Sequence, residues 1–213
     1  SEIKIKDKLK KDFLLFLSNF HFAAFGIKLK VRSNQTTIPY KNFSKDVKNA
    51  KSTEDIKNAM IQLKLKLMDL IYKSDFINAF KNLSFSKLES RKGNTVFPAQ
   101  YAIKRIANDL QNRDYNDDEY SIEHIINESK EGDYNNIGNL IVLETNINQN
   151  ISQNEQKAKK DFTFSEKRNY YKKSNYYMVK KFLELYPEKF EKNDIKNRSE
   201  RLAKEFWETF LNN

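Results

Sequence analysis

The stretch from Tyr120 to Lys160 contains the residue types that phosphodiester chemistry needs. It holds His124, one of two histidines in the 213-residue chain, with Glu123 directly before it and an asparagine-rich segment after it. Hydrolysis of a phosphodiester needs a base that activates water, and positive charge near the phosphate and the leaving oxygen. A histidine and one divalent ion can supply all of these. His124 is therefore the candidate general base, and the Glu123 carboxylate is a hard oxygen ligand suited to Mg²⁺ or Mn²⁺.

The Glu123–His124 pair by itself also fits a strand histidine with an exposed carboxylate neighbour. Adjacent side chains of a strand point to opposite faces, so both can serve one site only where the strand ends or bends. The polar loop that begins at Asn127 allows such an end. The other histidine, His21, lies among phenylalanines on an amphipathic helix predicted over residues 7–24, which favours a packed side chain over a ligand.

The composition fits one domain or two small ones, with 16 Phe and 11 Tyr as core material. The formal net charge of +10 favours an anionic partner such as nucleic acid, although a chain rich in Lys, Asn, Ile, Phe and Tyr is also typical of an A+T-rich genome. The absence of cysteine excludes disulfides and thiolate metal sites. No apolar run reaches the length of a membrane span and no signal-peptide pattern is present, which favours a cytoplasmic bacterial protein.

Helical periodicity dominates residues 1–115, which we predict to form a helical module. Helices are predicted over residues 7–24, from Ser52, from Ser74 to Phe80 and from Pro98 to about Leu110. The helix from Ser52 opens on Ser-Thr-Glu-Asp, a capping pattern. Irregular or extended chain is predicted over 27–51, which contains Pro39, and over Leu83–Asn94.

Residues 116–213 form the second predicted module. Two short segments rich in β-branched and aromatic residues, Tyr120–Ile126 and Ile137–Leu143, are predicted as strands separated by a polar loop. Helices are predicted over Asn146–Asp161, Ser174–Tyr186 and Asn193–Leu211.

A run from Lys157 to Lys173 interleaves basic with aromatic residues. This arrangement suits a groove that follows a nucleic-acid backbone, and it equally suits a solvated helix flank. The candidate nucleic-acid contacts in it are Lys157, Lys159, Lys160, Lys167, Arg168, Lys172 and Lys173.

The order strand, Glu-His, loop, Gly-Asn, strand, Asn, helix resembles the ββα-metal fold of HNH (His-Me finger) nucleases. Specifically, it resembles the HNH domain at the C-terminal end of the GmrSD-type modification-dependent (type IV) restriction endonucleases. The resemblance rests on Ile122–Ile125, Ile137–Leu143, Asn148 with Ile151, Lys157–Lys160, Tyr171–Ser174, and Ile195, Arg198, Leu202 and Trp207. It implies a mainly α, α+β fold with a small ββα-metal unit.

The resemblance also implies a role for each motif residue. The catalytic pair is His124, the general base, and Asn139, which holds the His-bearing segment by hydrogen bonds. The metal ligands are Glu123, where HNH enzymes carry Asp or His, and Asn148, which completes a site for one Mg²⁺ or Mn²⁺ through its amide oxygen. Asn146 competes with Asn148 for this last role.

By the same resemblance the chain is a metal-dependent endonuclease whose partner is DNA, modified DNA included, in a restriction or phage-defence system. The segment Ser74–Leu110 resembles the region that precedes the nuclease in such proteins, whose N-terminal nucleotide-hydrolysing domain has an Asp-Gly-Gln-Gln-Arg signature that is missing here. The chain begins at Ser1 without a methionine, which indicates a processed or excised piece. We therefore expect either a C-terminal fragment or a separate nuclease subunit, with a nucleotide-hydrolysing domain or subunit as partner.

Two other functions fit the sequence. A non-catalytic nucleic-acid-binding or assembly module would account for the net charge and the basic–aromatic run. A purely structural protein would require that Glu123 and His124 take no part in a common site.

Overall fold

The structure, a computed structural model, describes residues 3, 5–87, 97–116, 118–128 and 132–212. Helices take up 68% of it, and the sheet in this part of the chain has two antiparallel strands, which confirms a mainly helical α+β fold. No helix among these residues is long and apolar enough to cross a membrane. The chain folds as two compact units, residues 1–80 with 204–213, and residues 81–203.

The first unit is helical and has an aromatic core. Its helices are α1 (Asp7–His21), which continues into a π-helical turn (Phe22–Gly26), α2 (Ser33–Asn49), α3 (Thr53–Met68), α4 (Lys73–Phe80) and the end of α9 (Lys192–Phe210). The rings of Phe76 and Phe80 lie 5.7 and 5.4 Å from that of Phe206, between centroids. The predicted cap of α3 is confirmed, because the Ser52 Oγ accepts from the Asp55 N–H and the Asp55 carboxylate accepts from the Ser52 N–H.

The prediction of irregular chain over residues 27–51 is wrong for 33–49, which form α2. The carbonyl of Ser33 accepts a hydrogen bond from the Thr36 hydroxyl at 2.8 Å, so the polar cluster forms a first helical turn. Thr36 is the buried residue of α2 and Pro39 lies inside the helix, so apolar spacing does not reveal it. Packing against α3 supplies the support that propensity does not.

The second unit is built around the two-stranded sheet. Its elements are α5 (Phe97–Gln111), β1 (Tyr120–His124), β2 (Leu140–Glu144), α6 (Thr145–Ala158), α7 (Phe164–Tyr171), α8 (Tyr177–Leu185) and the first part of α9. The register pairs Ser121 with Leu143 and His124 with Leu140. Leu140–Leu143 are fully buried because α5, α6 and α8 pack against β2. A two-stranded sheet is marginal alone, so these helices provide most of its burial.

Both predicted strands are present with shorter bounds, since Ile137–Asn139 form a 3-10 turn before β2. The compact unit around the sheet begins at residue 81 rather than near 115, because α5 packs against β2 and α8.

Residues 83–87 of the segment predicted as a loop lie beside residues 135–137. The Phe85 N–H donates to the Asn135 carbonyl and the Ile137 N–H to the Leu83 carbonyl, both at 2.8 Å. The remainder of the predicted loop, residues 88–94, lies outside the described residues. This backbone pairing brings a distant part of the sequence to the edge of the sheet.

The turn before β2 is fastened to α9. The Arg198 guanidinium is buried and its Nη1 donates to the carbonyls of Gly138 at 2.7 Å and Leu140 at 2.8 Å. Gly138 approaches α9 so closely that a Cβ at this position would overlap the backbone carbonyl oxygen of Ile195. The glycine of the Gly-Asn motif is therefore required by close backbone approach.

We expect Gly138→Ala to lower the free energy of unfolding by about 1–3 kcal/mol, the usual cost of forcing atoms into filled space. Gly26→Ala is a suitable control, because its Cβ would meet the Phe22 side chain, with the nearest atom at 3.2 Å, and should cost much less. Urea unfolding followed by circular dichroism measures both variants. Wild-type stability of Gly138→Ala would contradict the close packing described here.

Candidate active site

Glu123 and His124 are the last two residues of β1, and both are about 3% exposed. The strand ends at His124, and its ladder pairs Glu123 with Ile141 and His124 with Leu140. One short segment contacts both, because Phe85 lies against His124 and Lys87 against Glu123. The structure thus brings the predicted base and the predicted ligand into one neighbourhood.

The His124 ring is held through one of its two nitrogens. Nε2 lies 2.9 Å from the Phe85 carbonyl oxygen, and the Phe85 ring stacks on the imidazole with 5.7 Å between centroids. A carbonyl only accepts, so Nε2 carries the proton and Nδ1 of the neutral ring keeps its lone pair. Burial lowers the pKa of His124, opposed by the bond to Phe85, so the ring is neutral at pH 7 and can accept a proton.

The Glu123 carboxylate is compensated mainly by a buried lysine. Lys167 Nζ lies 2.6 Å from Glu123 Oε1 and 2.6 Å from the backbone carbonyl oxygen of His124. The Tyr171 hydroxyl donates to Oε1 at 3.4 Å, and burial raises its pKa well above the ordinary value. The second oxygen, Oε2, has Lys87 Nζ at 3.5 Å. The two carboxylate oxygens therefore differ, with Oε1 fixed from inside the unit and Oε2 facing a partly exposed side chain.

Asn139 is fully buried and bonds the chain that follows His124. Its Oδ1 accepts from the Ile126 N–H at 2.9 Å, and its Nδ2 donates to the carbonyls of Ile126 and Tyr134, both at 2.6 Å. Its backbone carbonyl accepts from the Ile125 N–H at 2.9 Å. These contacts make Asn139 a positioning residue, since both polar atoms of its side-chain amide are hydrogen-bonded within the fold.

Asn148, on α6, is 6% exposed and its Nδ2 donates to the Ser121 hydroxyl at 2.7 Å. Within the described part of the chain its Oδ1 is buried and has no hydrogen-bond partner, which is costly for an amide oxygen. Asn148 and Ser121 line a depression of about 340 Å³ together with Lys87. Asn146 lines a different depression, and its Oδ1 accepts from the Ile147 N–H at 2.8 Å, so its amide oxygen, unlike that of Asn148, is already bonded.

The protein groups near this depression supply only some of the ligands that a hard cation needs. The described residues contain no cluster of three His, Cys, Asp or Glu side chains. Glu123 Oε2 and the unpartnered Asn148 Oδ1 are oxygens of the kind that Mg²⁺ and Mn²⁺ prefer, and Mg²⁺ commonly keeps several waters and substrate oxygens as its other ligands. The residues present therefore fit an open divalent site with few protein ligands.

One of the predicted nucleic-acid contacts must be corrected. Lys167 is 2% exposed and its ammonium is bonded to the Glu123 carboxylate, so it cannot reach a phosphate backbone. The interleaving of basic and aromatic residues conceals this, although α7 buries Lys167 at helical spacing on the same face as Phe164 and Tyr171. The other candidates are exposed or half-buried: Lys157, Lys159, Lys160, Arg168, Lys172 and Lys173.

Sequence reasoning missed the segment that completes the neighbourhood. Phe85 and Lys87 lie nearly forty residues before His124 in a stretch without motif or periodicity. Tyr171 belongs to the quoted resemblance, but nothing in its spacing indicates a hydroxyl bonded to Glu123. Of these residues, only Lys167 has a signal in the sequence. It lies at helical spacing between Phe164 and Tyr171, two aromatic residues that are buried.

We expect Lys167→Met to lower the free energy of unfolding by about 3–5 kcal/mol, because it leaves the buried Glu123 carboxylate without its ammonium. Adding Glu123→Gln should recover a large part of this loss, since no unpaired charge then remains. Lys160→Met is the matched control: it breaks a 2.6 Å pair with Glu166 that is exposed, and it should have little effect. Urea unfolding of the wild type, Lys167→Met, Glu123→Gln, the double variant and Lys160→Met measures the coupling, and strictly additive losses would contradict it.

The match to known families covers both the sheet and the surrounding helices. The model of the GmrSD restriction endonucleases, C-terminal domain, matches residues 70–205, more than half of the chain. This range contains Glu123, His124, Asn139 and Asn148. No curated protein and no solved structure matches the chain. The chain therefore belongs to the family of GmrSD restriction endonuclease C-terminal domains.

Proposed function

We propose that this chain is a metal-dependent DNA endonuclease domain of the HNH type. Membership in a family of restriction endonucleases supports nuclease activity as the general class. The observation that carries the finer proposal is the setting of His124, a buried neutral imidazole held through Nε2 beside a carboxylate. A ring held in this way presents one basic nitrogen in a fixed orientation, as a general base must.

Different residues of the chain take different roles in hydrolysis. His124 Nδ1 takes a proton from the water that attacks phosphorus, while the Phe85 carbonyl bonded to Nε2–H stabilises the imidazolium that results. Asn139 keeps the chain after His124 in place through the two polar groups of Ile126. Lys167 fixes both the Glu123 carboxylate and the His124 carbonyl. Three separate contacts thus orient the base and its neighbour before substrate binds.

One Mg²⁺ or Mn²⁺ would be held by Glu123 Oε2 and Asn148 Oδ1, and when bound it would neutralise charge on the phosphate and the leaving oxygen. The unpartnered Asn148 oxygen supports this assignment over Asn146. The order β1, β2, α6, with α6 packed on both strands, supports a ββα-metal unit. In this proposal Ser121 orients the Asn148 amide by accepting from its Nδ2.

The proposed substrate is DNA, modified DNA included. The proposed setting is a restriction or phage-defence system. The exposed lysines after α6 support backbone contact, because clustered cations release counterions from phosphates. Lys173 lies over the Tyr170 ring, so basic and stacking surfaces coincide there. A nucleotide-hydrolysing domain or subunit is the proposed partner that gates cleavage.

We expect the wild-type protein to nick plasmid DNA with Mg²⁺ or Mn²⁺ and to lose this activity in EDTA. His124→Gln should reduce the cleavage rate by about 10²–10⁴-fold, the usual contribution of a general base, while its amide can still donate to the Phe85 carbonyl. Asn148→Ala should weaken Mn²⁺ binding and raise the Mn²⁺ concentration needed for half-maximal cleavage. Gel assays of supercoiled plasmid measure these effects.

His21→Ala is the internal control for this experiment. His21 is the other histidine and is exposed in the first unit. Its ring lies against those of Phe20, Phe25 and Tyr40, and its Nε2 is bonded to the Tyr40 hydroxyl at 2.8 Å. Its replacement should leave cleavage unchanged. Equal cleavage by wild type and His124→Gln would contradict the proposed mechanism, and salt-sensitive DNA binding without metal-stimulated cleavage would favour a non-catalytic binding module.

A further inference from the structure

Lys87 stands at the border between Glu123 and the open depression beside it. Its Nζ lies 3.5 Å from Glu123 Oε2, its side chain is 38% exposed, and it lines the depression with Ser121 and Asn148. Its backbone N–H donates to Glu128 Oε2 at 3.0 Å. Lys87 therefore has a bonded backbone N–H and a partly exposed ammonium that lies between Glu123 and the depression.

We propose that Lys87 is a further catalytic residue, whose ammonium contacts a non-bridging oxygen of the scissile phosphate in this depression. The inference rests on the proposed endonuclease function and deepens it. In the reaction Lys87 stabilises the negative charge that grows on the phosphate oxygens as the water oxygen bonds to phosphorus.

The close pairing of Glu123 with Lys167 supports this role for Lys87. Lys167 already compensates the carboxylate at Oε1 from a buried position, at 2.6 Å. Lys87 brings a second ammonium to Glu123, and a second carboxylate balances it, because Glu128 Oε2 accepts from the Lys87 N–H and lies 3.5 Å from His124 Nε2. A buried pair satisfied by Lys167 does not need Lys87 for stability, so Lys87 can exchange Glu123 Oε2 for another anion at small cost.

The lining of the depression indicates an anionic group as its ligand. Among the described residues that form it, Lys87 carries the charge, and the rest are amides and hydroxyls that can donate hydrogen bonds: Ser121, Thr145, Asn148, Gln149, Ser152, Gln153 and Gln156. No carboxylate in that set opposes an anion. Together with the buried and unpartnered Asn148 Oδ1, this lining suits a phosphodiester accompanied by a cation.

The segment that carries Lys87 also positions the base. Phe85, two residues earlier, accepts the hydrogen bond from His124 Nε2. Since consecutive Cα atoms are about 3.8 Å apart, the Cα atoms of Phe85 and Lys87 lie within roughly 7 Å of each other. One segment would thus set the orientation of the general base and the location of the phosphate.

The experiment compares Lys87→Met, Lys87→Arg and Lys189→Met with the wild type. Lys189 is the matched control, since it also makes an ion pair, with Glu191 at 3.6 Å, but on the surface. Single-turnover cleavage of a short DNA duplex with saturating enzyme and Mn²⁺ gives the rate of the chemical step. Mn²⁺ binding without DNA and thermal unfolding are measured on the same proteins.

We expect Lys87→Met to reduce the single-turnover rate by about 10²-fold or more, the effect of removing one group that stabilises transition-state charge. Lys87→Arg should recover part of that rate, and Lys189→Met should match the wild type. Mn²⁺ should bind Lys87→Met at least as tightly as the wild type, because a cation that competes for Glu123 Oε2 has been removed. The unfolding midpoint should change little.

Three outcomes would overturn the inference. Wild-type cleavage by Lys87→Met would do so, as would an increase confined to the enzyme concentration that gives half-maximal single-turnover rate, which marks ground-state binding. Weaker Mn²⁺ binding that accounts for the lost rate would also overturn it. If Lys87→Met does not fold, Lys87→Gln is assayed in its place. A wild-type protein without metal-dependent cleavage overturns the proposed function itself, whereas an active wild type with an active Lys87→Met overturns the role of Lys87 alone.

Discussion

The ion pair between Lys167 and Glu123 is the interaction on which the candidate site depends. Both side chains are buried, and a carboxylate in such a place is tolerated only with a close cation and further hydrogen bonds. The Lys167 ammonium also bonds the backbone carbonyl of His124, so α7 fastens the end of β1 at two points. Without this ion pair, the end of β1 would bury the charged Glu123 side chain beside His124 with no cation to compensate it.

The rest of the second unit compensates for a very small sheet. Two strands cannot hold a buried polar site by ladder hydrogen bonds alone. Side-chain hydrogen bonds provide the additional support, since Asn139 bonds both polar groups of Ile126, and Arg198 bonds the carbonyls of Gly138 and Leu140. These bonds cross between segments distant in sequence, so the site is rigid where the backbone is irregular.

Sequence reasoning predicted what apolar spacing controls and missed what long-range contacts control. The helices α3 and α5 and the buried strand β2 follow from spacing and caps. α2 does not, because Thr36 is its buried residue and its support comes from α3. The motif residues could be named from the order of elements, and the spacing of Lys167 with Phe164 and Tyr171 is that of a buried helix face. Its partner Glu123 could not be named, because the two residues are 44 positions apart in the sequence.

The unequal burial of two lysines fits a Glu123 carboxylate that stabilises the fold and takes the metal-binding role proposed for it. Lys167 is 2% exposed and bound to Oε1, so its removal leaves an unpaired buried charge and should destabilise the fold. Lys87 is 38% exposed and faces Oε2, so its contact with Glu123 contributes little free energy and can be exchanged. If both lysines were buried, Glu123 would be fully neutralised and could offer no oxygen to a cation. If both were exposed, the carboxylate would lack the fixed orientation that a ligand next to His124 requires.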